Sequence, residues 1–264
     1  MGFIGIAILL GVVEGLTEFL PVSSTGHLIV AGHLLGFTGE TSETFEIFIQ
    51  LGAILAVVFL ERRTFLGLLR PDGRGGFSGP RGCALLLTTT LPALVAGALL
   101  HDWIRDHLFG PGTVAWALLA GGVAILLVER FRPGTAVLSI DGIGFRQALA
   151  IGLFQCVSMW PGVSRSGATI VAGLLLGLER RTAAHYSFLA AVPIMAAATL
   201  YDLTKSWSHL GGQDIAPFAA GFAVAFVSAY GAMRSFVALL GRFTLRPFAW
   251  YRIAIAPAVY FLVK

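Results

Sequence analysis

Two carboxylates near the beginning of the chain stand in a segment that is otherwise apolar. Glu14 and Glu18 are four residues apart, so they share one face of a helix. Two ionised carboxylates in such a place repel each other and resist removal from water. One carboxyl stays protonated, an arginine pairs with them, or they bind an oxygen-seeking cation such as Mg²⁺ or Ca²⁺. The pair indicates a functional site, and the plainer alternative is a carboxyl that satisfies main-chain groups.

A hydroxyl-rich turn follows Pro21. Ser23, Ser24 and Thr25 precede a second apolar run, where a new half-helix is expected to begin. Free N–H groups and the helix dipole make such a position an anion site, although serine and threonine are also ordinary helix caps. Capping does not explain His27, which lies on the helical face of Ser24. The turn therefore predicts chemistry at Ser24 and His27, with packing as the alternative for the histidine.

A second turn of similar composition, PGVSRSGAT, covers residues 161–169. Its glycines allow main-chain N–H groups to converge on an anion, and the forked guanidinium of Arg165 suits a phosphate. The hydroxyls of Ser164, Ser166 and Thr169 surround that arginine. An unpaired arginine in an apolar segment is costly, so we expect it to meet a phosphate or a carboxylate of the first segment. A purely structural Arg–Glu pair is the alternative.

The two turns belong to one duplicated segment. Residues 11–36 align with residues 152–177 without a gap, and eleven of the 26 positions are identical. The copies differ at the reactive positions, where Glu14, Glu18, Ser24 and His27 face Gln155, Met159, Arg165 and Ala168. A duplicated scaffold thus divides the chemistry of one site between its halves.

Composition places these segments in a membrane. The chain is 56% hydrophobic and 12% charged, with a mean hydropathy of +0.84, whereas a soluble domain carries about 25% charged residues. The basic pI of 9.4 reflects arginines in short loops, so we expect no nucleic-acid partner. Six apolar segments are long enough to span a bilayer: residues 45–61, 83–101, 113–131, 183–204, 216–239 and 247–263.

The duplicated segments are better explained as re-entrant hairpins. Residues 24–37 would form a helix of about 21 Å, short of the ~30 Å hydrocarbon core, and proline interrupts both copies. With hairpins that do not cross, four loops carry twelve arginines on one side, against three basic residues on the other. This positive-inside bias places both termini outside and makes the hairpins enter from opposite faces.

The predicted fold class is therefore an all-α polytopic integral membrane protein with six transmembrane helices and two re-entrant helical hairpins in an inverted-topology repeat. We expect a single membrane domain, residues 1–264. Repeat 1 covers about 1–131 with its hairpin at 3–37, and repeat 2 covers about 143–264 with its hairpin at 143–178.

Two motifs carry a resemblance to a known family. EGLTEFLPVSSTGH at residues 14–27 and WPGVSRSGAT at residues 160–169 closely resemble the motifs of the undecaprenyl-pyrophosphate phosphatase, or bacitracin-resistance, family. The resemblance extends over nearly the whole chain. It implies hydrolysis of undecaprenyl pyrophosphate to the monophosphate and inorganic phosphate, which recycles the lipid carrier of peptidoglycan synthesis and gives bacitracin resistance. It also implies a bacterial inner membrane location, with the catalytic pocket on the outer side.

The resemblance assigns roles to particular residues. A divalent cation, Mg²⁺ or Ca²⁺, is expected at Glu14 and Glu18. The catalytic positions are Glu14, Glu18, Ser24, His27 and Arg165. The substrate-binding positions are Ser23, Thr25, Ser164, Ser166 and Thr169.

The residues leave the nucleophile and one rival function open. We favour Ser24 as nucleophile, activated by Glu18 or His27, with His27 itself or a metal-held water as alternatives. An inverted repeat with broken helices is also typical of transporters, so a lipid-phosphate flippase is the alternative function. The expected partners are the lipid pyrophosphate and the bilayer, and a homodimer is left open.

Overall fold

The structure is a computed structural model that describes residues 2–70, 76–206 and 214–262. These residues form eleven α-helices and one 3-10 turn at Ile140–Gly142. The helices are α1 Phe3–Thr17, α2 Ser24–Leu35, α3 Glu40–Leu60, α4 Arg62–Leu68, α5 Gly79–Leu108, α6 Pro111–Phe131, α7 Phe145–Val157, α8 Arg165–Leu175, α9 Arg180–Ser206, α10 Ile215–Leu240 and α11 Arg246–Leu262. The all-helical class predicted from composition is confirmed.

Five helices in the described ranges are long and apolar enough to cross a membrane: α3, α5, α6, α9 and α10. The sixth predicted span coincides with α11, which has 17 described residues. Arg74 and Lys264, counted in the charge comparison, lie outside the described residues. Large apolar side chains such as Trp116 and Val227 are exposed on the surface, as expected of helices that face lipid. The chain is a multi-pass α-helical membrane protein.

Both proline-containing segments interrupt a helix where the duplication predicts it. Residues 18–23 separate α1 from α2, and residues 158–164 separate α7 from α8. Each second half-helix begins with a serine cap, Ser23 on α2 and Ser164 on α8. The broken helices therefore end inside the protein and leave main-chain groups there that require other partners.

The two halves of the chain interlock. Helix α1 packs along α10, and α7 packs along α5, so each first half-helix lies against a long helix of the other half. A Cβ on Gly11 would lie 2.6 Å from the Gly221 oxygen, and one on Gly152 would lie 2.5 Å from the Thr89 oxygen. Gly11 and Gly152 are equivalent positions of the duplication. Both positions are glycine because the two helix backbones approach too closely there for any side chain.

Adding one methyl group at this contact should destabilise the protein. In Gly152→Ala the new Cβ meets the Thr89 carbonyl, and we expect a melting temperature in detergent lower by about 5 °C or more, because overpacking strains the contact. Gly231→Ala is the matched control, since a Cβ on that α10 glycine meets nothing within 4 Å. Equal melting temperatures for the two variants would contradict the close approach.

Candidate active site

The two serine caps share an unusual backbone conformation. Ser23 has φ 72° and Ser164 has φ 71°, and they are the two non-glycine residues with positive φ in the described part of the chain. Each side chain accepts a hydrogen bond from the N–H of the glycine three residues later, at 3.4 Å from Gly26 and 3.1 Å from Gly167. Such strain persists where surrounding contacts determine it, and it is concentrated at functional sites.

Both breaks line one small cavity of about 170 Å³. Its predicted polar lining comes from both copies of the duplication: Glu18, Ser23, Ser24, Thr25, Ser164 and Arg165. The rest of the wall is formed by Gln50 on α3, Met195 on α9, and Ser158, Pro161 and Gly162 of the second break. Six of the ten residues predicted from the motifs are therefore brought together at one place.

Ser24, Glu18 and Arg165 form the centre of this cavity. The Ser24 hydroxyl donates to Glu18 Oε2 at 2.5 Å, and Arg165 Nη2 donates to Glu18 Oε1 at 3.4 Å. All three side chains are largely buried, and Glu18 is 8% exposed. The carboxylate thus bridges a hydroxyl from one half and a guanidinium from the other. A hydroxyl so placed can lose its proton to the carboxylate while the arginine holds an anion.

One N–H donor of Arg165 is not used by the described residues. Its Nη1 donates to the Ser187 carbonyl at 3.1 Å, and its guanidinium carbon lies 5.4 Å from the centre of the Phe19 ring. Its Nε is buried and has no hydrogen-bond partner among the described residues. A buried donor without a partner is costly, and an anion in the cavity would satisfy it.

The hydroxyls of the second break support its shape. Ser166 donates to the Leu20 carbonyl of the first break at 2.8 Å and lies 3.1 Å from the Ser164 hydroxyl. Thr169 lies 2.7 Å from the Ser187 hydroxyl and donates to the Arg165 carbonyl at 3.0 Å. Ser166 and Thr169 therefore hold the two breaks and α9 together, and their contact with a substrate stays a prediction.

Glu14 suits a metal ion in company with Glu18. It lies one helical turn before Glu18, is 1% exposed, and its Oε1 has no hydrogen-bond partner among the described residues. Mg²⁺ is commonly bound through one or two carboxylates together with substrate phosphates and water. The described residues contain no cluster of three or more His, Cys, Asp or Glu side chains that could hold a metal alone. The pair fits a cation that needs phosphate oxygens as further ligands.

His27 is held outside the cavity. Its Nδ1 lies 2.6 Å from the Ser23 carbonyl, and its Nε2 lies 2.6 Å from the Tyr251 hydroxyl. The two rings stack, with centres 5.5 Å apart and planes 8° from parallel. Because the Ser23 carbonyl can only accept, Nδ1 carries a proton, and in the neutral ring Nε2 accepts from the Tyr251 hydroxyl. The residues that line the cavity do not include His27, and its catalytic role stays a prediction.

Arg252 is the important residue that the sequence motifs do not contain. It lies in α11, is 0% exposed, and uses all five N–H donors on main-chain carbonyls. The acceptors are Ala117 and Leu118 of α6, Pro21 of the first break, and Gly162 and Val163 of the second break, at 2.9 to 3.3 Å. One guanidinium thus fastens both breaks to the same helix.

The position of this arginine also affects the charge of the site. No carboxylate in the described part of the chain pairs with Arg252, so its positive charge remains behind the anion site. A Cβ on Gly121 of α6 would collide with its guanidinium, which explains a glycine there. An arginine inside an apolar span was the available signal, because ionisable groups in spans are functional by default.

The fold and cavity define a class: a multi-pass α-helical membrane protein with a polar, arginine-containing cavity between two broken helices. Residues 7–258 match the family model described as "Bacitracin resistance protein BacA". The chain belongs to this family.

Similar proteins have a consistent name. A protein named "Undecaprenyl-diphosphatase" from Nitratidesulfovibrio vulgaris is 58% identical over 257 residues, which is 97% of each chain. Proteins of the same name from Maridesulfovibrio salexigens and Solidesulfovibrio magneticus are 57% and 53% identical, with at least 96% of each chain covered. The similarity therefore extends over nearly the full length of both partners.

Replacing Arg252 should destabilise the whole protein. Arg252→Met keeps an unbranched apolar stem but leaves buried carbonyls without these donors, and each buried polar group left unsatisfied typically costs about 1–3 kcal/mol. We expect a large fall in melting temperature, with partial recovery in Arg252→Lys. Arg234→Met is the control, because Arg234 is an exposed arginine of α10. Similar melting curves for Arg252→Met and Arg234→Met would remove the bracing role.

Proposed function

We propose that the chain hydrolyses undecaprenyl pyrophosphate to undecaprenyl phosphate and inorganic phosphate. This recycles the lipid carrier of peptidoglycan synthesis and gives bacitracin resistance. The name shared by relatives at 53–58% identity supports the substrate. The observation that carries the chemistry is the Ser24 hydroxyl, hydrogen-bonded to Glu18 beside Arg165. A nucleophile, a base and an anion clamp in one cavity favour phosphoryl transfer.

Positively charged groups and free N–H groups around the cavity would position the pyrophosphate. The N-terminal ends of α2 and α8 supply free N–H groups and partial positive charge. Arg165 exchanges part of its contact with Glu18 for phosphate oxygens and uses its unpartnered Nε. Arg252 adds an uncompensated charge behind the breaks. Phosphoryl transfer depends mainly on such positioning and charge stabilisation.

The first step forms a covalent intermediate. Glu18 accepts the Ser24 proton as Ser24 Oγ bonds to the terminal phosphorus, and the bond from that phosphorus to the bridging oxygen breaks. Undecaprenyl phosphate leaves, and it carries the proton away from Glu18. Glu18 then accepts a proton from the water that hydrolyses the phosphoserine, and it returns this proton to Ser24 as inorganic phosphate is released.

A divalent cation, Mg²⁺ or Ca²⁺, completes the proposed site at Glu14 and Glu18. The unpartnered Oε1 of Glu14 supports this placement. When bound, the cation would offset phosphate charge that one arginine does not neutralise. Glu14 and Glu18 would hold the cation together, and Glu18 Oε2, which accepts from Ser24 at 2.5 Å, would still take the serine proton.

The membrane arrangement is also a proposal. Six helices, α3, α5, α6, α9, α10 and α11, cross the bacterial inner membrane, and the α1–α2 and α7–α8 pairs enter as hairpins from opposite faces. The half-helices have 15, 12, 13 and 11 residues, so each is at most about 23 Å long, shorter than the ~30 Å core. The arginine bias supports an outer location for both termini, and the family resemblance supports an outer opening of the catalytic cavity.

Phosphate release in detergent should separate hydrolysis from transport. The purified protein with Mg²⁺ and undecaprenyl pyrophosphate should release one inorganic phosphate for each substrate consumed, because chemistry needs no second compartment. A flippase would move the lipid across a vesicle membrane and release no phosphate. Absence of phosphate release from the folded protein would favour the flippase.

Loss of the Ser24 hydroxyl should abolish turnover. In Ser24→Ala we expect kcat to fall by at least about 1,000-fold, because a nucleophile and its activation are lost together. Ser235→Ala, at an exposed serine of α10, is the control and should keep normal activity. Rapid quenching of the wild type should trap a phosphate on Ser24, detected by mass spectrometry. Near-normal turnover of Ser24→Ala would instead assign the attack to water or His27.

Replacing the Glu14 carboxylate with an uncharged amide should weaken cation binding. In Glu14→Gln we expect the Mg²⁺ concentration for half-maximal activity to rise about tenfold. Mg²⁺ should also raise the melting temperature of the wild type more than that of the variant, because a ligand stabilises the state that binds it. Glu43→Gln, at an exposed position of α3, should behave as the wild type. Unchanged Mg²⁺ responses in Glu14→Gln would exclude Glu14 from the cation site.

A further inference from the structure

An apolar groove of about 620 Å³ lies on the lipid-facing surface between α5 and α7. Its walls are mainly aliphatic, with Leu91, Val95 and Leu99 from α5 and Leu149 and Leu153 from α7. The five side chains are 46% to 78% exposed. None of the residues to which the proposed chemistry is assigned lies in this groove.

One end of the groove adjoins the catalytic cavity. Cys156 lines the groove, and Ser158, two residues later at the end of α7, lines the cavity. A Cβ on Gly97 of α5 would lie 3.7 Å from Met159 Sδ, in the second break. Helix α5 therefore passes beside the second break, and the groove ends next to the break that lines the polar cavity.

The groove extends away from this mouth along two helices that run in the same direction. Thr89 contacts Gly152, and eight residues later Gly97 is beside Met159. The α5 lining extends from Thr88 to Leu100, and the part from Gly97, beside the break, to Thr88 is about 14 Å long at 1.5 Å per residue. A flexible apolar chain that starts at the cavity could therefore follow the groove for nearly half of the ~30 Å hydrocarbon core.

We propose that this groove binds the isoprenoid chain of the lipid pyrophosphate, an inference that rests on the proposed function. With the pyrophosphate held by Arg165, the first isoprene units must leave the cavity near Ser158 and Met159. The groove is an apolar surface that begins near these residues, and isoprenoid carbon packed against it exchanges contacts with bulk lipid for contacts with a shaped wall. A second copy of the chain seated in the groove would cover this exit, so it does not fit the same site.

A bulky residue in the groove should discriminate between long and short substrates. Val95 lies in the middle of the α5 wall and is absent from the cavity lining, so Val95→Trp is expected to fill the groove. We expect the KM for undecaprenyl pyrophosphate to rise about tenfold. The KM for dimethylallyl pyrophosphate, which has one isoprene unit, should stay unchanged, and this also shows that the variant folds with an intact site.

Val227→Trp is the matched control. Val227 is a lipid-facing valine of α10, 67% exposed against 50% for Val95. It should leave both KM values unchanged. Equal KM values for undecaprenyl pyrophosphate in Val95→Trp and Val227→Trp would overturn the proposal, and a change of oligomeric state in Val95→Trp alone would assign the groove to a second copy.

Cys156 provides a measurement that needs no hydrolysis. In a Cys83→Ser background the chain has this single thiol, and a membrane-permeable maleimide should modify it more slowly when undecaprenyl phosphate is present. Inorganic pyrophosphate should give no protection. Equal labelling rates with and without undecaprenyl phosphate would overturn the proposal. If the wild type releases no phosphate from either substrate but the lipid still protects Cys156, the proposed hydrolysis fails and the prenyl groove stands.

Discussion

Main-chain carbonyls that a broken helix leaves inside a membrane protein must find donors, and the rest of this structure depends on how that demand is met. Arg252 meets it at both breaks at once, with five donors on five carbonyls. A lysine has three donors without fixed geometry, whereas a guanidinium presents five in one plane. The same side chain therefore holds the two breaks together and adds positive charge behind the cavity, so the bracing of the breaks and the charge of the cavity depend on one residue.

The two copies of the duplication have the same backbone geometry at the breaks but different reactive side chains. Ser23 and Ser164 have nearly identical backbone angles, and each caps its half-helix in the same way. The residue that follows is Ser24 in one copy and Arg165 in the other, and both reach Glu18. Equal backbones thus bring unlike side chains to one point. Glycines at positions 11 and 152 repeat the same close packing against opposite halves, which is why they are identical.

Much of the site could be predicted from sequence, because proline, glycine and hydroxyl residues act locally. The breaks, the two caps and the meeting of Glu18 with Arg165 follow from motif spacing and charge. The contact between His27 and Tyr251 does not, since it joins residues 224 positions apart and nothing in either segment marks the other as a partner. Arg252 lies outside the sequence motifs, in a long apolar run whose pattern predicts only a transmembrane span. The exchange of α1 and α7 between halves depends on tertiary packing that periodicity does not report.

The interlocked packing has a consequence for the order in which the chain is made. Helix α1 is synthesised first, but its long partner α10 begins at Ile215. At about 5–20 residues per second, α1 waits on the order of ten seconds or more before that partner emerges. During this interval its two glutamates, Glu14 and Glu18, lack both α10 and the arginine of the second break. Until translation is nearly complete, the carboxylates of the nascent N-terminal half must therefore be solvated by water or shielded from lipid by the insertion machinery.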